Sequence, residues 1–105
     1  MVTQLSSDEF EKLIKEKGTV LIDVREKYEF DAGHIKGAHQ ISSIRFDEGF
    51  ENLGVKKKDK IALYCRSGNR SDFIASKLSQ EGYPNVYNLE LGILDWTRYG
   101  KQIVK

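Results

Sequence analysis

The sequence has few of the features that mark secreted, membrane-bound or strongly charged proteins. It contains a single cysteine, Cys65, among 105 residues, which excludes an intramolecular disulfide and agrees with a reducing compartment. Seventeen basic and sixteen acidic residues leave a net charge of +1, so no overall field attracts nucleic acid or an anionic membrane. We therefore expect no nucleic-acid or membrane partner, and we expect any preference for an anion to be local.

Long apolar runs are missing as well. No stretch approaches the roughly 20 apolar residues that a membrane helix needs. Residues 1–10 lack the basic segment followed by an apolar run that marks a signal peptide. The chain also shows no repeat, linker or low-complexity segment. The sequence therefore predicts one domain over residues 1–105 and a cytoplasmic location.

Helix-like and strand-like segments alternate along the chain. Ser6 and Glu9 have the spacing of a capping box, which opens a predicted helix that Gly18 ends. Short apolar runs without alternation are typical of strands buried on both faces. The predicted strands are 19–24, 38–41, 61–64 and 86–89, and the predicted helices are 7–17, 26–32, 46–53, 71–81 and 92–99. This order predicts an α/β fold with a parallel sheet covered by helices on both faces.

Two of the predicted helices have apolar positions that we expect to face the core. In the helix over 71–81 these are Phe73, Ile74, Leu78 and the stem of Lys77. In the last helix they are Ile93, Leu94 and Trp96. Ligands of such folds lie beyond the carboxyl ends of the strands, and Cys65 stands at one of those ends.

The segment after the strand 61–64 carries the strongest chemical signal. Residues 65–70 connect that strand to a helix, and Gly68 permits a sharp turn with positive φ. A loop that curls into a helix N-terminus points several N–H groups inward, which favours an anion. Arg66 and Arg70 add positive charge. We expect a lowered pKa for Cys65 and a nucleophilic thiolate, with a buried, inert thiol as the alternative.

Two reaction classes use such a loop. Tyrosine-phosphatase-like enzymes need room for a tetrahedral phosphate, and their signature places five residues between cysteine and arginine. Four residues, 66–69, separate Cys65 from Arg70. The shorter loop predicts a tighter bowl, which suits one additional sulfur atom on the cysteine better than a phosphate.

Four motifs in order resemble those of the rhodanese superfamily, over nearly the whole chain. They are the stretch 21–26, the pair Glu29-Phe30 followed by 33–38, the loop 64–71, and 89–92 with Trp96 and Gly100. One position departs from the pattern. Leu91 stands where the last motif usually has its first glycine, which puts the local backbone and the rim of the pocket in question.

The resemblance implies a central five-stranded, mostly parallel sheet and a sulfurtransferase activity without a metal or cofactor. A sulfane sulfur would pass from a donor such as thiosulfate, through a persulfide on Cys65, to a thiophilic acceptor such as cyanide or a thiol. A six-residue loop is the form associated with sulfurtransferases, whereas related phosphatases have one residue more. The alternative is a carrier module in which a partner protein supplies or receives the sulfur.

Each site residue receives an expected role. Backbone N–H groups of residues 66–70 should stabilise the persulfide. Arg66 and Arg70 should attract the anionic donor, and Gly68 and Asn69 should shape the loop. Ser67 and Ser71 should hydrogen-bond the persulfide, with capping of the helix as the alternative for Ser71. By resemblance, three residues support the site structurally, namely Asp23, Arg25 and Glu29, with Glu29 pairing with Arg25.

Overall fold

A computed structural model describes residues 1–105, and a five-stranded sheet forms its centre. The strands are β1 (Val2–Leu5), β2 (Val20–Asp23), β3 (His39–Gln40), β4 (Ile61–Tyr64) and β5 (Val86–Leu89). Their spatial order is β1-β5-β4-β2-β3, and every neighbouring pair is parallel. The α/β fold with a mostly parallel five-stranded sheet is therefore confirmed.

Helices cover both faces of the sheet. The helices are α1 (Ser7–Ile14), α2 (Lys27–Ala32), α3 (Phe46–Leu53), α4 (Asn69–Gln80) and α5 (Gly92–Arg98), with a short 3-10 turn at Ser43–Arg45. One apolar cluster joins α1 and α5 to the sheet through Phe10, Ile93 and Trp96. A second cluster joins α3 and α4 to the other face through Phe50 and Leu78.

The central strand β4 places the cysteine. All four of its residues are buried, because β2 and β5 flank it and a helical layer covers each face. Leu63 faces one apolar cluster and Ala62 and Tyr64 the other, so both faces of the strand are apolar, as expected for a central parallel strand. Full burial of an aliphatic side chain such as Leu63 stabilises the fold by about 1.5–3 kcal/mol. Cys65 follows this strand directly, so the strand fixes the position of the cysteine backbone.

The amino-terminal strand β1 is absent from the sequence prediction. Val2 and Leu5 are half-buried, the two residues between them are exposed, and the segment pairs only with β5, so it is a short edge strand with little apolar content. The first helix also ends at Ile14 instead of residue 17, because Glu16 accepts a hydrogen bond from the N–H of Thr19 and closes a turn there. Helix α4 begins at Asn69, two residues earlier than predicted.

Two predicted core positions lie on the surface. Phe73 is 73% exposed, since the inward stripe of α4 runs through Ser71, Ile74, Ala75 and Leu78, and Phe73 falls beside it. Leu94 of α5 is 47% exposed, whereas its neighbour Ile93 is buried. The prediction is wrong at both positions, because helical spacing alone does not fix the orientation of the stripe when polar residues such as Ser71 are buried within it.

The helices of the fold are short, and none is both long and apolar enough to cross a membrane.

Candidate active site

The cysteine lies at the bottom of the loop between β4 and α4. Its side chain is 1% exposed. Gly68 precedes the first residue of α4 with φ of +97°, a conformation that favours glycine. A Cβ atom at this position would lie 2.0 Å from the carbonyl oxygen of Glu90, so no side chain fits there. The loop is thus pressed against the segment that follows β5.

Three hydrogen-bond donors converge on the sulfur of Cys65. The N–H of Gly68 lies 3.2 Å from Sγ, and the N–H and hydroxyl of Ser71 each lie 3.4 Å from it. Burial by itself raises the pKa of the Cys65 thiol, but the hydroxyl and amide of Ser71 and the amides of Gly68 and Ser67 outweigh burial and bring the pKa below its ordinary value. The three donors therefore favour the thiolate form of Cys65, although its side chain is buried.

The segment after β5 holds the outside of this loop. The N–H of Ile93 donates to the carbonyl of Cys65 at 2.9 Å, and the N–H of Leu94 donates to the carbonyl of Arg66 at 3.1 Å. Gly92, with φ of +70°, allows the contact, since a Cβ there would lie 2.2 Å from the Arg66 oxygen. Because the Arg66 carbonyl points outward to α5, the N–H of Ser67 in the same peptide unit turns toward the sulfur, where it helps to lower the pKa of Cys65. In the sequence, Gly92 is visible only as part of a motif, and nothing there indicates this role.

The departure at Leu91 leaves the backbone unstrained. Leu91 has φ of −103°, which any residue adopts, and its side chain is 60% exposed. It lines a surface depression together with Ser7 and Asp95 and none of the loop residues 65–70. A glycine is therefore not required at this position of the chain.

A buried ion pair lies at the carboxyl end of β2. Arg25 donates to both carboxylate oxygens of Asp23, with 2.8 Å between Nη2 and Oδ2. The same Nη2 also donates to the carbonyl of Gly33 at 2.7 Å. The prediction that Arg25 pairs with Glu29 is wrong, because the fork of the guanidinium is already filled by Asp23, two residues away on the same strand end.

Glu29 instead pairs with Arg70 of the cysteine loop. The two guanidinium nitrogens lie 2.9 and 3.0 Å from the two carboxylate oxygens. Hydrogen bonding to Arg70 is the main reason that the pKa of Glu29 is below its ordinary value. The pairing occurs because α2 begins at the end of β2 and faces the first turn of α4. Glu29 therefore supports the loop directly and not through Arg25.

The remaining loop residues are open to solvent. Arg66, Ser67 and Asn69 are exposed. Ion pairs engage Arg25 and Arg70 but not Arg66, so Arg66 is the arginine of this loop that is free to meet an anion. It lines a cleft of about 370 Å³ whose other walls include Tyr28 and Leu94. No group of three or more His, Cys, Asp and Glu side chains is placed to hold a metal ion.

The chain is similar to several known proteins. The curated relatives include tRNA uridine(34) hydroxylase of Hamiltonella defensa, 32% identical over 102 residues, and the protein of the same name from Yersinia pestis, 29% identical over 102 residues. Each alignment covers 93% of this chain but only 29% of the relative, so the chain spans less than a third of the length of these proteins.

Solved structures and a family model agree on the fold. A rhodanese-related protein from Thermoplasma volcanium superposes with a TM-score of 0.85 at 28% identity, covering 97% of each chain. A thiosulfate sulfurtransferase from Pseudomonas aeruginosa has a TM-score of 0.83 at 22% identity, covering 98% of this chain and 20% of that one, and this likeness concerns the fold alone. The family model described as Rhodanese-like domain matches residues 6–99. The chain therefore belongs to the rhodanese-like domain family.

Proposed function

We propose that this protein is a sulfurtransferase that carries a sulfane sulfur as a persulfide on Cys65. The observation that carries the proposal is the convergence of the Gly68 amide and of the amide and hydroxyl of Ser71 on one buried sulfur. Donors arranged in this way stabilise negative charge on sulfur, as an oxyanion hole does on oxygen. Membership of the rhodanese-like family agrees with this chemistry.

The reaction proceeds in two steps. The Cys65 thiolate attacks the outer sulfur of thiosulfate, a Cys65 S–S bond forms, the S–S bond of thiosulfate breaks, and sulfite leaves with the electron pair. The product is a persulfide anion on Cys65, held by the loop amides. An acceptor such as cyanide then attacks the outer sulfur, which leaves as thiocyanate while the Cys65 thiolate is restored. This is double-displacement chemistry with a covalent intermediate.

Arg66 is the residue that best fits the sulfonate end of an anionic donor. It is exposed, it belongs to no ion pair, it follows Cys65 directly in the chain, and it lines a surface cleft with Tyr28 and Leu94. Arg70 is held by Glu29, so its charge is compensated by a carboxylate before a donor arrives. We accordingly assign donor binding to Arg66 and support of the loop to Arg70.

Mass spectrometry of the intact protein tests the proposal. After incubation with thiosulfate and removal of excess reagent, the wild type should gain the mass of one sulfur atom, and Cys65→Ser should gain nothing. A thiocyanate assay with cyanide should show turnover that Cys65→Ser lacks. Arg66→Ala should raise the KM for thiosulfate about tenfold, a cost typical of one charge-assisted contact, whereas Arg98→Ala, also an arginine-to-alanine change, should not. Absence of the sulfur adduct with thiosulfate and with an alkyl persulfide donor would contradict the assignment.

A carrier function is the second candidate, and the walls of the cleft favour it. Tyr28 is 76% exposed, Leu94 47% and Ile103 39%, and all three line the cleft that contains Arg66. Apolar side chains left in solvent beside a reactive group are typical of protein interaction sites. In this case a partner protein would load Cys65, and thiosulfate would label it slowly. The same mass measurement distinguishes the two functions through the relative loading rates.

The names of the curated relatives refer to a uridine of tRNA, and these relatives are about three times as long as the matched segment. For this chain we retain the proposal of no nucleic-acid partner. Its net charge is +1. Its densest basic run, residues 56–60, lies before the amino end of β4, whereas Cys65 follows the carboxyl end of the same strand. Lys57 of that run donates to the carbonyl of Glu81, and its ammonium group lies over the ring of Tyr83.

A further inference from the structure

A buried asparagine on β5, the strand next to β4, contacts the backbone of the cysteine loop. Asn88 of β5 is 1% exposed, and its Nδ2 donates to Gln4 Oε1 at 2.8 Å and to the carbonyl of Gly68 at 3.4 Å. Gln4 of β1 in turn donates from Nε2 to Oδ1 of Asp72, in the first turn of α4, at 2.6 Å. A chain of amides thus links the edge strand to the carbonyl of Gly68.

The orientation of each amide in this chain is fixed by a carboxylate. The side chain of Asp72 only accepts hydrogen bonds when ionised, so the nitrogen of Gln4 must face it. The oxygen of Gln4 then faces Asn88, which must present its nitrogen. The Gly68 carbonyl requires the same orientation, because its oxygen can only accept, and Asn88 Oδ1 has no hydrogen-bond partner. Gln4 and the Gly68 carbonyl therefore together orient Asn88 as a donor.

The carbonyl of Gly68 is also within reach of Ser71, and this creates a competition. The Ser71 hydroxyl lies 3.2 Å from the Gly68 oxygen and 3.4 Å from the sulfur of Cys65. A hydroxyl has one proton and can donate it to only one of these acceptors at a time. The N–H of Asp72 donates to the same Gly68 oxygen at 3.0 Å. Asp72 and Asn88 therefore compete with the Ser71 hydroxyl for the two lone pairs of that oxygen.

We propose that Asn88 is a positioning residue of the Cys65 site, which occupies the Gly68 carbonyl so that the hydroxyl proton of Ser71 is left for the sulfur. Without Asn88, one lone pair of the Gly68 oxygen is open, and the Ser71 hydroxyl turns to this nearer acceptor. The sulfur then loses the donor that most favours its anionic form. Asn88 therefore acts on Cys65 through Gly68 and Ser71 and touches neither the sulfur nor the substrate.

A double-mutant cycle on the titration of Cys65 tests the proposal. The proteins are the wild type, Asn88→Leu, Ser71→Ala and the double variant, and the readout is the rate of Cys65 alkylation against pH, which reports on one thiol because the chain has one cysteine. Leucine keeps the branched shape of asparagine and also removes the unpaired Oδ1. We expect Asn88→Leu and Ser71→Ala each to raise the midpoint by about one pH unit, since each removes, directly or through Ser71, a hydrogen bond to the charged sulfur. The double variant should titrate like Ser71→Ala alone.

Control variants separate this role from a general structural one. Asn85→Leu removes an amide that donates to the Lys58 carbonyl at 2.9 Å, just before the same strand, and should leave the midpoint unchanged. If Asn88→Leu does not fold, Asn88→Ala replaces it, because it also removes the Nδ2 donor to the Gly68 carbonyl and places a smaller side chain in the strand. This variant should raise the midpoint in the same direction and should have no effect in the Ser71→Ala background.

The charged groups around Cys65 are the same in every variant. They are Arg66 and Arg70 of the loop, Asp72 in the first turn of α4, Glu29 of α2, and the Asp23–Arg25 pair at the end of β2. An unchanged midpoint in Asn88→Leu would overturn the proposal, and so would an effect that adds fully to that of Ser71→Ala. The inference rests on the proposed reactivity of Cys65, but the titration needs no sulfur donor, so a failed sulfur transfer and a failed cycle are distinguishable.

Discussion

Two neighbouring strand-to-helix connections of this protein look alike in sequence, but their amide groups donate to different acceptors. Both follow a buried strand, and both have a glycine with positive φ at the start of a helix, Gly68 before α4 and Gly92 in α5. In the first connection, amide hydrogens converge on the sulfur of Cys65. In the second, the first amides of α5 donate to the carbonyls of Cys65 and Arg66.

The comparison shows that an anion-binding loop needs something to hold its carbonyls. A peptide unit that points its N–H toward the sulfur points its C=O away, and a buried carbonyl without a donor costs about 1–3 kcal/mol. The amide of Leu94 meets that need for the Arg66 carbonyl, whose peptide unit presents the N–H of Ser67 to Cys65. The second connection therefore belongs to the candidate active site, although it contributes no atom to the sulfur.

Gly92→Ala breaks the link between the two connections and should have the largest effect. The new Cβ would lie 2.2 Å from the Arg66 oxygen, at a φ of +70° that alanine resists. We expect a loss of about 3 kcal/mol or more in the free energy of unfolding. In the molecules that remain folded, the displaced loop should raise the pKa of Cys65. Urea unfolding and the rate of Cys65 alkylation against pH measure the two effects.

Gly100→Ala is the matched control, because Gly100 has φ of +72° and no neighbouring atom lies within 4 Å of the place that a Cβ would take. This variant should lower the free energy of unfolding by only about 1–2 kcal/mol, which is the cost of alanine in the left-handed region. It should leave the rate of Cys65 alkylation unchanged. Equal stabilities of the two variants, with equal Cys65 titrations, would show that the connections act independently.

Glu29→Gln sharpens the comparison by testing a support that comes from neither connection. Glutamine keeps the hydrogen bond to the Glu26 N–H but loses the charge that pairs with Arg70. We expect a loss of less than about 1 kcal/mol at pH about 7, since Arg70 is 37% exposed and solvent screens the pair. The folded-state pKa of Glu29 is lowered. Its contribution is therefore present above the ordinary value of about 4.3 and is lost as the pH falls through the folded-state pKa.

Urea unfolding over this pH range measures the effect, and the difference between wild type and Glu29→Gln should shrink toward acid. Glu51→Gln, at an exposed position of α3 outside every ion pair, should show no such trend. A difference that stays constant with pH would mean that the ion pair does not contribute.

Leu91→Gly should have the smallest effect. It restores the glycine of the family motif in the second connection, but Leu91 already has an ordinary φ of −103°. We expect a loss of about 0.5–1 kcal/mol from the greater freedom of the unfolded chain, and an unchanged Cys65 titration. Thermal unfolding and alkylation rates check this. A shifted titration would mean that the Leu91 side chain shapes the cysteine pocket.

The elements with strong local signals are predicted almost residue by residue. Strands β4 and β5 have the predicted bounds, since both are short apolar runs between polar turns. Strand β1 is not predicted, because its four residues pair with one neighbouring strand only and show almost no hydrophobic pattern. The burial of Phe73 is predicted wrongly for a related reason. The buried face of α4 includes the polar Ser71, which is buried because it contacts Cys65 and not because it belongs to the apolar core.

The sequence by itself determined that a lone cysteine follows a buried strand, sits in a glycine-containing loop and precedes a helix. These are properties of adjacent residues, and local backbone preferences are enough to specify them. Only the tertiary structure decided that Glu29 pairs with Arg70, that α5 holds the loop carbonyls, and that Gln4 orients Asn88, which lies 84 residues further along the chain. Such partners are chosen by strand order and register, which depend on the packing of the whole sheet and leave no periodic trace in the sequence.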